Sequence, residues 1–170
     1  MSMLSRDDIL ALIQGDPPLI ECYLDLEAQL QTNGFDLSLR SVSRLISCGK
    51  LALDNKNRVI STQEKMEFGA GGVMHLGPGS YSIIYNEIVH LPKDIMALGL
   101  SRSSLLRCGA SLHTAVWDAG YSGRSESLLV VHNPLGLDLE KDARVLQLVF
   151  SKLTGKSQGY QGMYQGENTG

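Results

Sequence analysis

The sequence predicts an all-β fold, a barrel or jelly roll, opened by one short helix. Three observations carry that expectation. Apolar residues come in short runs, several with the period-two alternation of a half-buried strand. Glycine is enriched, 18 of 170 residues, against a usual share of about 7%. The glycines cluster between the runs, as Gly69-Ala70-Gly71-Gly72, Gly77-Pro78-Gly79, Gly120/Gly123 and a tail from Gly155 to Gly170. Glycine at such intervals suits tight turns between short strands.

Taken in order, Ser5-Arg6-Asp7-Asp8 reads as a helix start, with Ser5 as cap and Asp8 closing the capping box. Ile9, Leu10, Leu12 and Ile13 follow as an apolar stripe, and Gly15-Asp16-Pro17-Pro18 ends it. Gly34 to Leu39 alternates as a strand. Leu51 to Ile60 reads as a hairpin around Asp54-Asn55-Lys56-Asn57. Tyr81 to Leu91 reads as one strand, rich in Tyr and β-branched residues and ended by Pro92. Leu128 to Val131 is a short apolar run, and Arg144 to Leu153 alternates again. One domain over residues 1–154 is expected. Residues 155–170 have little to bury and read as a mobile tail, able to fold over a ligand.

Composition narrows the function. An apolar share of 43% and a charged share of 19% are those of a globular chain. Fifteen Lys+Arg against 18 Asp+Glu leave a net charge of -3, which disfavours a protein that coats nucleic acid. Contact with phosphate must come from a few placed cations. No apolar run reaches the roughly 18 residues of a membrane span. Arg6, Asp7 and Asp8 do not read as a secretory leader. Cys22, Cys48 and Cys108 show neither a disulfide framework nor zinc spacing, so a reducing cytoplasm is expected. His75, His90, His113 and His132 show no metal spacing either. There is no GxSxG elbow and no Walker loop.

Three segments can carry chemistry. Ser101-Arg102-Ser103-Ser104-Leu105-Leu106-Arg107 places two cations and three hydroxyls within seven residues. Phosphate oxygens favour that set, Arg as a planar fork of donors and Ser as filler of the remaining lone pairs. It reads equally as a Ser-capped helix turn with solvated arginines. Trp117-Asp118-Ala119-Gly120-Tyr121-Ser122-Gly123 puts Asp118 at a hairpin turn. There it reads as a general base toward water or as a turn residue in an Asx bond. Tyr121 either stacks on a ring or covers the hairpin. The segment Gly159 to Asn168 combines glycine, tyrosine and amides, which suits a lid over a nucleotide or a disordered end.

In order along the chain, these segments resemble the motifs of the dUTPase and dCTP deaminase superfamily, most of all its archaeal-type dUTPases. Gly34-Phe35-Asp36-Leu37 is similar to the first motif, and Ser101 to Leu105 to the second. Ala115 to Gly123 is similar to the third, Arg144 to Phe150 to the fourth, and Tyr164-Gln165-Gly166 to the glycine-rich fifth. The resemblance covers about Gln31 to Asn168. Each motif alone is weak; five in the right order are specific.

The resemblance implies a distorted jelly-roll barrel of the β-clip kind, assembled as a homotrimer with active sites at subunit interfaces. It implies hydrolysis of dUTP to dUMP and pyrophosphate with Mg²⁺ carried by the triphosphate. Asp118 would activate the water that attacks the α-phosphorus. Arg102, Ser103 and Ser104, with Arg107, would hold phosphates of a neighbouring subunit's site. The backbone of Ala115, Val116 and Trp117 would read the uracil edge, and Tyr121 would pack under the deoxyribose. Asp36 would place a magnesium-bound water or support the site. Gln147 would support the pocket, and Arg144 would support it or face phosphate. Tyr164, Gln165 and Gly166 would close over the triphosphate.

Two departures stand out. The deaminase branch shares the second motif, and its catalytic Glu lies about ten residues past the Asp of the third. Here that position is Leu128, with Glu126 one strand period earlier in what reads as a solvated loop. Deamination of dCTP, or both activities, is therefore the alternative, with a non-catalytic trimeric nucleotide sensor as a further one. Ser122 stands where many dUTPases have Arg, and Arg124 is the candidate substitute.

Overall fold

The computed structural model describes residues 2–170. The chain opens with β1 (Ser2–Met3), α1 (Arg6–Ile13), β2 (Ile20–Glu21), α2 (Leu26–Gln29), β3 (Leu30–Gln31) and the long β4 (Gly34–Leu45). Next come β5 (Gln63–Met66), β6 (Val73–Leu76), β7 (Gly79–Tyr85), β8 (Ile88–His90) and β9 (Ile95–Ser101). After α3 (Ser103–Arg107) follow β10 (Ala110–His113), β11 (Ser122–Gly123), β12 (Glu126–Val131), β13 (Leu137–Glu140) and β14 (Arg144–Lys152).

α1 forms where the sequence places it, because its start signal is local. Ser5 accepts from the Asp8 amide, and Asp8 reaches back to the Ser5 amide, satisfying two otherwise orphaned donors. Ile9 and Ile13, one turn apart, are the buried face.

β4 organises the barrel. Its first half pairs with β14 through Leu37↔Leu146 and Phe35↔Leu148. Its second half pairs with β7 and β5 on opposite edges. The register shifts between Leu39 and Ser41. A bulge of this kind bends a strand and lets it pass from one sheet to another. On one side β14 also carries β9, from Leu146↔Ser101 to Lys152↔Ile95. On the other side the order continues β4-β7-β12-β10. Phe35, Leu37, Leu39 and Val42 from β4 meet Leu146, Leu148 and Phe150 from β14 in the core. The alternation of Gly34 to Leu39 is real, but its polar positions are not solvent-exposed. Asp36 and Ser38 are also buried, covered by side chains from elsewhere in the chain.

Several local expectations change. Tyr81 to Leu91 is two strands, not one, broken at Asn86-Glu87. There the Glu87 carboxylate accepts the Ser38 amide at 2.9 Å, and the Asn86 side-chain amide donates to the Ser38 hydroxyl at 3.0 Å. Side-chain pairing replaces the ladder, and β8 leaves to join β2 and β11 in a separate sheet. Leu51 to Ile60 forms no strand hairpin, only a Lys50↔Val59 bridge around the turn Asn55–Asn57. Leu51, Leu53 and Ile60 remain exposed, so the segment has no covered face to hold strands. α3 is not Ser-capped: Arg102 takes the cap position and no side chain caps it. Ser103 and Ser104 keep exposed hydroxyls. No helix is long and apolar enough to cross a membrane among the described residues.

Candidate active site

The connection 114–125 joins β10 to β12, whose register runs from Ala110↔Val131 to His113↔Leu128. Within it, Trp117 forms an antiparallel bridge to Ala97 through backbone bonds of 2.9 and 3.0 Å. The indole lies against Gly99, where a β-carbon would come 2.8 Å from its ring. The turn that follows closes through the Tyr121 amide on the Asp118 carbonyl, 3.0 Å. The Asp118 carboxylate is therefore not needed for the turn, and it is exposed. Gly120 has φ +86°, and a β-carbon there would meet the backbone of Gly159 at 2.6 Å. Only glycine suits both demands.

A cavity of about 490 Å³ opens beside this turn. Ala115, Val116, Trp117, Asp118 and Tyr121 line it from the connection, Glu126 and Leu128 from β12, and Tyr164 and Glu167 from the tail. Its volume and mixed apolar and polar lining suit a nucleotide-sized ligand. Glu126 is not in a solvated loop. It begins β12 and accepts from Ser82 at 2.6 Å and from Gln63. Leu128, two residues on, faces the same cavity.

The second group of candidates lies elsewhere on the chain. Asp36, 2% exposed, accepts from Arg102 Nε at 3.0 Å and from Arg144 Nη1 at 3.3 Å. Arg102 Nη1 donates to the Arg144 carbonyl at 3.1 Å. The guanidinium is thus held along one edge, its side chain 30% exposed, with its other donors unspent. Ser103, Ser104 and Arg107 are exposed on the adjoining α3. Gln147 pairs in register with Asp36 and is half-buried. Arg144 also donates to the Ala28 carbonyl. None of Arg102, Ser103, Ser104, Arg107 or Gln147 lines the cavity of its own chain.

Behind Asp36, the Gln29 amide bridges the Asp36 carbonyl (2.9 Å) and the Glu87 carboxylate (2.6 Å). Burial pushes the Glu87 carboxyl up; the bonds from Ser38 and Gln29 oppose it. Burial likewise raises Asp36, against the pull of Arg102 and Arg144.

The tail packs along the hairpin of its own chain. The Tyr160 amide donates to the Ala119 carbonyl, and the Gly166 amide to the Ser122 carbonyl at 2.7 Å. Gln165 uses both ends of its amide on the turn, accepting from the Ser122 amide and donating to the Gly120 carbonyl. It does not line the cavity. Arg124 is no free substitute for a phosphate-holding arginine. It is 5% exposed, its Nε donates to the Asn86 carbonyl at 3.0 Å, and its Nη1 donates to the Asn168 carbonyl.

Ser125, Gln29 and Glu87 escaped sequence reasoning, and Glu167 stood out only as part of the tail segment. They carry no motif, and their partners lie up to 58 residues away in the chain. Among the described residues, no three His, Cys, Asp or Glu side chains gather as a metal-binding group.

A jelly-roll barrel with a nucleotide-sized cavity at a glycine-turned hairpin defines a class, and sequence comparison agrees: the chain belongs to the dCTP deaminase-like family, whose model matches residues 3–153. It is 48% identical over 169 residues to the probable deoxyuridine 5'-triphosphate nucleotidohydrolase of Methanococcoides burtonii, covering 99% of each. It is 50% identical over 168 residues to the protein of the same name from Archaeoglobus fulgidus, covering 99% of this chain and 98% of that one. A 2'-deoxycytidine 5'-triphosphate deaminase from Agrobacterium tumefaciens superposes with a TM-score of 0.66 at 22% identity. That match covers 87% of this chain and 48% of the deaminase, and the likeness is one of fold.

Proposed function

We propose that the protein is a dUTP diphosphatase, hydrolysing dUTP to dUMP and pyrophosphate. Near-full-length identity to proteins named as probable dUTP nucleotidohydrolases supports the reading. The observation that carries it over deamination is Leu128, an apolar side chain lining the cavity where the deaminase branch has its catalytic Glu.

In this reading Asp118, exposed at the cavity rim, takes a proton from the water that attacks the α-phosphorus. Removing such a base typically costs about 10²–10⁴ in rate. Trp117 and Tyr121 wall the base and sugar, and the backbone of Ala115 to Trp117 meets the uracil edge. Arg102, set by Asp36 and Arg144, meets phosphate together with Ser103, Ser104 and Arg107. Phosphoryl transfer relies on such positioning and charge neutralisation. A divalent cation such as Mg²⁺ would be carried by the triphosphate's own oxygens and would offset their charge, so it would need no carboxylate cage from this chain. Asp36 fits the supporting role better than that of a metal-water ligand, because two guanidiniums already occupy its buried carboxylate.

That Asp118 lines the cavity and Arg102 does not supports a homotrimer in which one subunit's arginine completes the next subunit's cavity. Leu98, Leu100, Leu106 and Val116, exposed on β9, α3 and the connection, supply an apolar face for that contact. Three exposed free cysteines suit the reducing cytoplasm as the place of work.

Deamination remains the second reading on one observation, Glu126 on the cavity side of β12. Incubation with Mg²⁺ and either dUTP or dCTP separates the two. Pyrophosphate and dUMP from dUTP, with dCTP unchanged, is the expected result. Ammonia from dCTP would refute the Leu128 argument, and binding of dUTP without turnover would leave a sensor.

A further inference from the structure

We propose that Glu167 is a positioning residue: it latches the C-terminal segment onto the hairpin and, through Tyr121 and Ser125, sets the Trp117 indole that walls the cavity. The kinetic part of this inference rests on the dUTP reading above; the spectroscopic part stands without it.

Four side chains form one directed chain of hydrogen bonds. The Trp117 indole N–H donates to Ser125 Oγ. The Ser125 hydroxyl donates to the Tyr121 oxygen at 3.0 Å, and the Tyr121 hydroxyl donates to Glu167 Oε1 at 2.9 Å. Trp117, Tyr121 and Ser125 are all buried. Glu167 alone among residues 161–170 is half-buried. Backbone bonds set it in place: the Gly166 amide on the Ser122 carbonyl, and the Arg124 amide on the Glu167 carbonyl at 2.9 Å. The crossing is close, since a β-carbon on Gly123 would meet the Tyr121 oxygen at 2.7 Å and the Glu167 amide at 3.2 Å.

Proton accounting gives the chain its direction. The indole can only donate, and each hydroxyl has one proton to give. The ionised carboxylate has none, so it is the acceptor that terminates the series. Without it, the phenol proton turns back toward Ser125. The Ser125 proton then has no acceptor on that side and competes with the indole N–H, donor against donor. Buried polar groups in such series polarise one another, so a loss at one end reaches the other. A change in the tail is thereby conveyed to Trp117, 50 positions earlier in the sequence.

The test uses the full chain and its single tryptophan. Glu167→Ala, Glu167→Gln and Ser125→Ala are compared for tryptophan emission without nucleotide, and for KM and kcat with dUTP. The expectation for Glu167→Ala is an emission change matching that of Ser125→Ala, a KM raised about tenfold, and kcat within threefold, as for lost ground-state binding. Glu167→Gln, whose amide oxygen still accepts the phenol proton, should restore both readouts. Parental emission in Glu167→Ala overturns the inference whatever KM does. Failure of Glu167→Gln to rescue overturns it too. If the parent releases no pyrophosphate from dUTP, the proposed function fails, while emission still decides the latch.

Discussion

The Asp36→Asn substitution tests how the phosphate-facing arginine is held. Asp36 Oδ2 accepts from Arg102 and Arg144 at 3.0 and 3.3 Å and is almost wholly buried. Each charge-assisted bond is worth about 1.5–3 kcal/mol. Asparagine keeps the volume and one acceptor oxygen, so part of that survives. The loss is offset further because burial disfavours the Asp36 charge and because both guanidiniums are about one-third exposed and rehydrate. The net destabilisation is about 1–2 kcal/mol, by analogy with part-exposed ion pairs. For a chain of this size that lowers Tm by about 2–8 °C. Activity should fall further than stability. Arg102 keeps its bond to the Arg144 carbonyl but can swing about it, and a misplacement of about 1 Å costs up to 10²-fold. The expected outcome is kcat/KM for dUTP lowered about 10–100-fold, measured as pyrophosphate release, with Tm from calorimetry. A Tm loss with kcat/KM within threefold of the parent would refute the positioning argument and leave Asp36 a purely structural residue.

Asp118→Asn should lower kcat by about 10²–10⁴ while calorimetric binding of a non-hydrolysable dUTP analogue changes little; near-parental turnover removes Asp118 as the base. Leu100→Asp places a charge on the exposed apolar face of β9. In light scattering the parent should show three times the 18.5 kDa chain mass, and the variant a monomer without activity; a monomeric, active parent would end the shared-site model. Glu87→Gln reads the buried carboxyl. Burial raises its value, so its contribution to stability is fully present below the ordinary carboxylate range and is lost as pH rises through the raised value. The Tm difference, parent minus variant, should therefore shrink as pH rises above the ordinary carboxylate range of about 4, and a difference that grows with pH would contradict the sign.

Local signals and motif order were legible in the sequence. The Ser5–Asp8 capping box specifies α1 within four residues, because each partner lies on the same turn. Alternation in Phe35, Leu37 and Leu39 identifies the core face of β4, since strand geometry sends every second side chain the same way. The five ordered motifs point to the family and to a nucleotide triphosphate. Tertiary structure decided what those signals could not carry. Tyr81 to Leu91 has strand-like composition throughout, yet it breaks where Glu87 and Asn86 bind Ser38, 49 and 48 positions away. Asp36 on β4 reads as solvated until Arg102, Arg144 and Gln29 cover it. Glu126 and Leu128 share one face by strand period, but only packing shows that this face lines a cavity. Arg124, Ser125 and Glu167 gain their roles from partners brought together by the crossing of tail and hairpin. The physical reason is common to all of these. Propensity and pattern act over a few residues, whereas a buried donor or acceptor must be satisfied by whatever the closed barrel brings within about 3 Å of it.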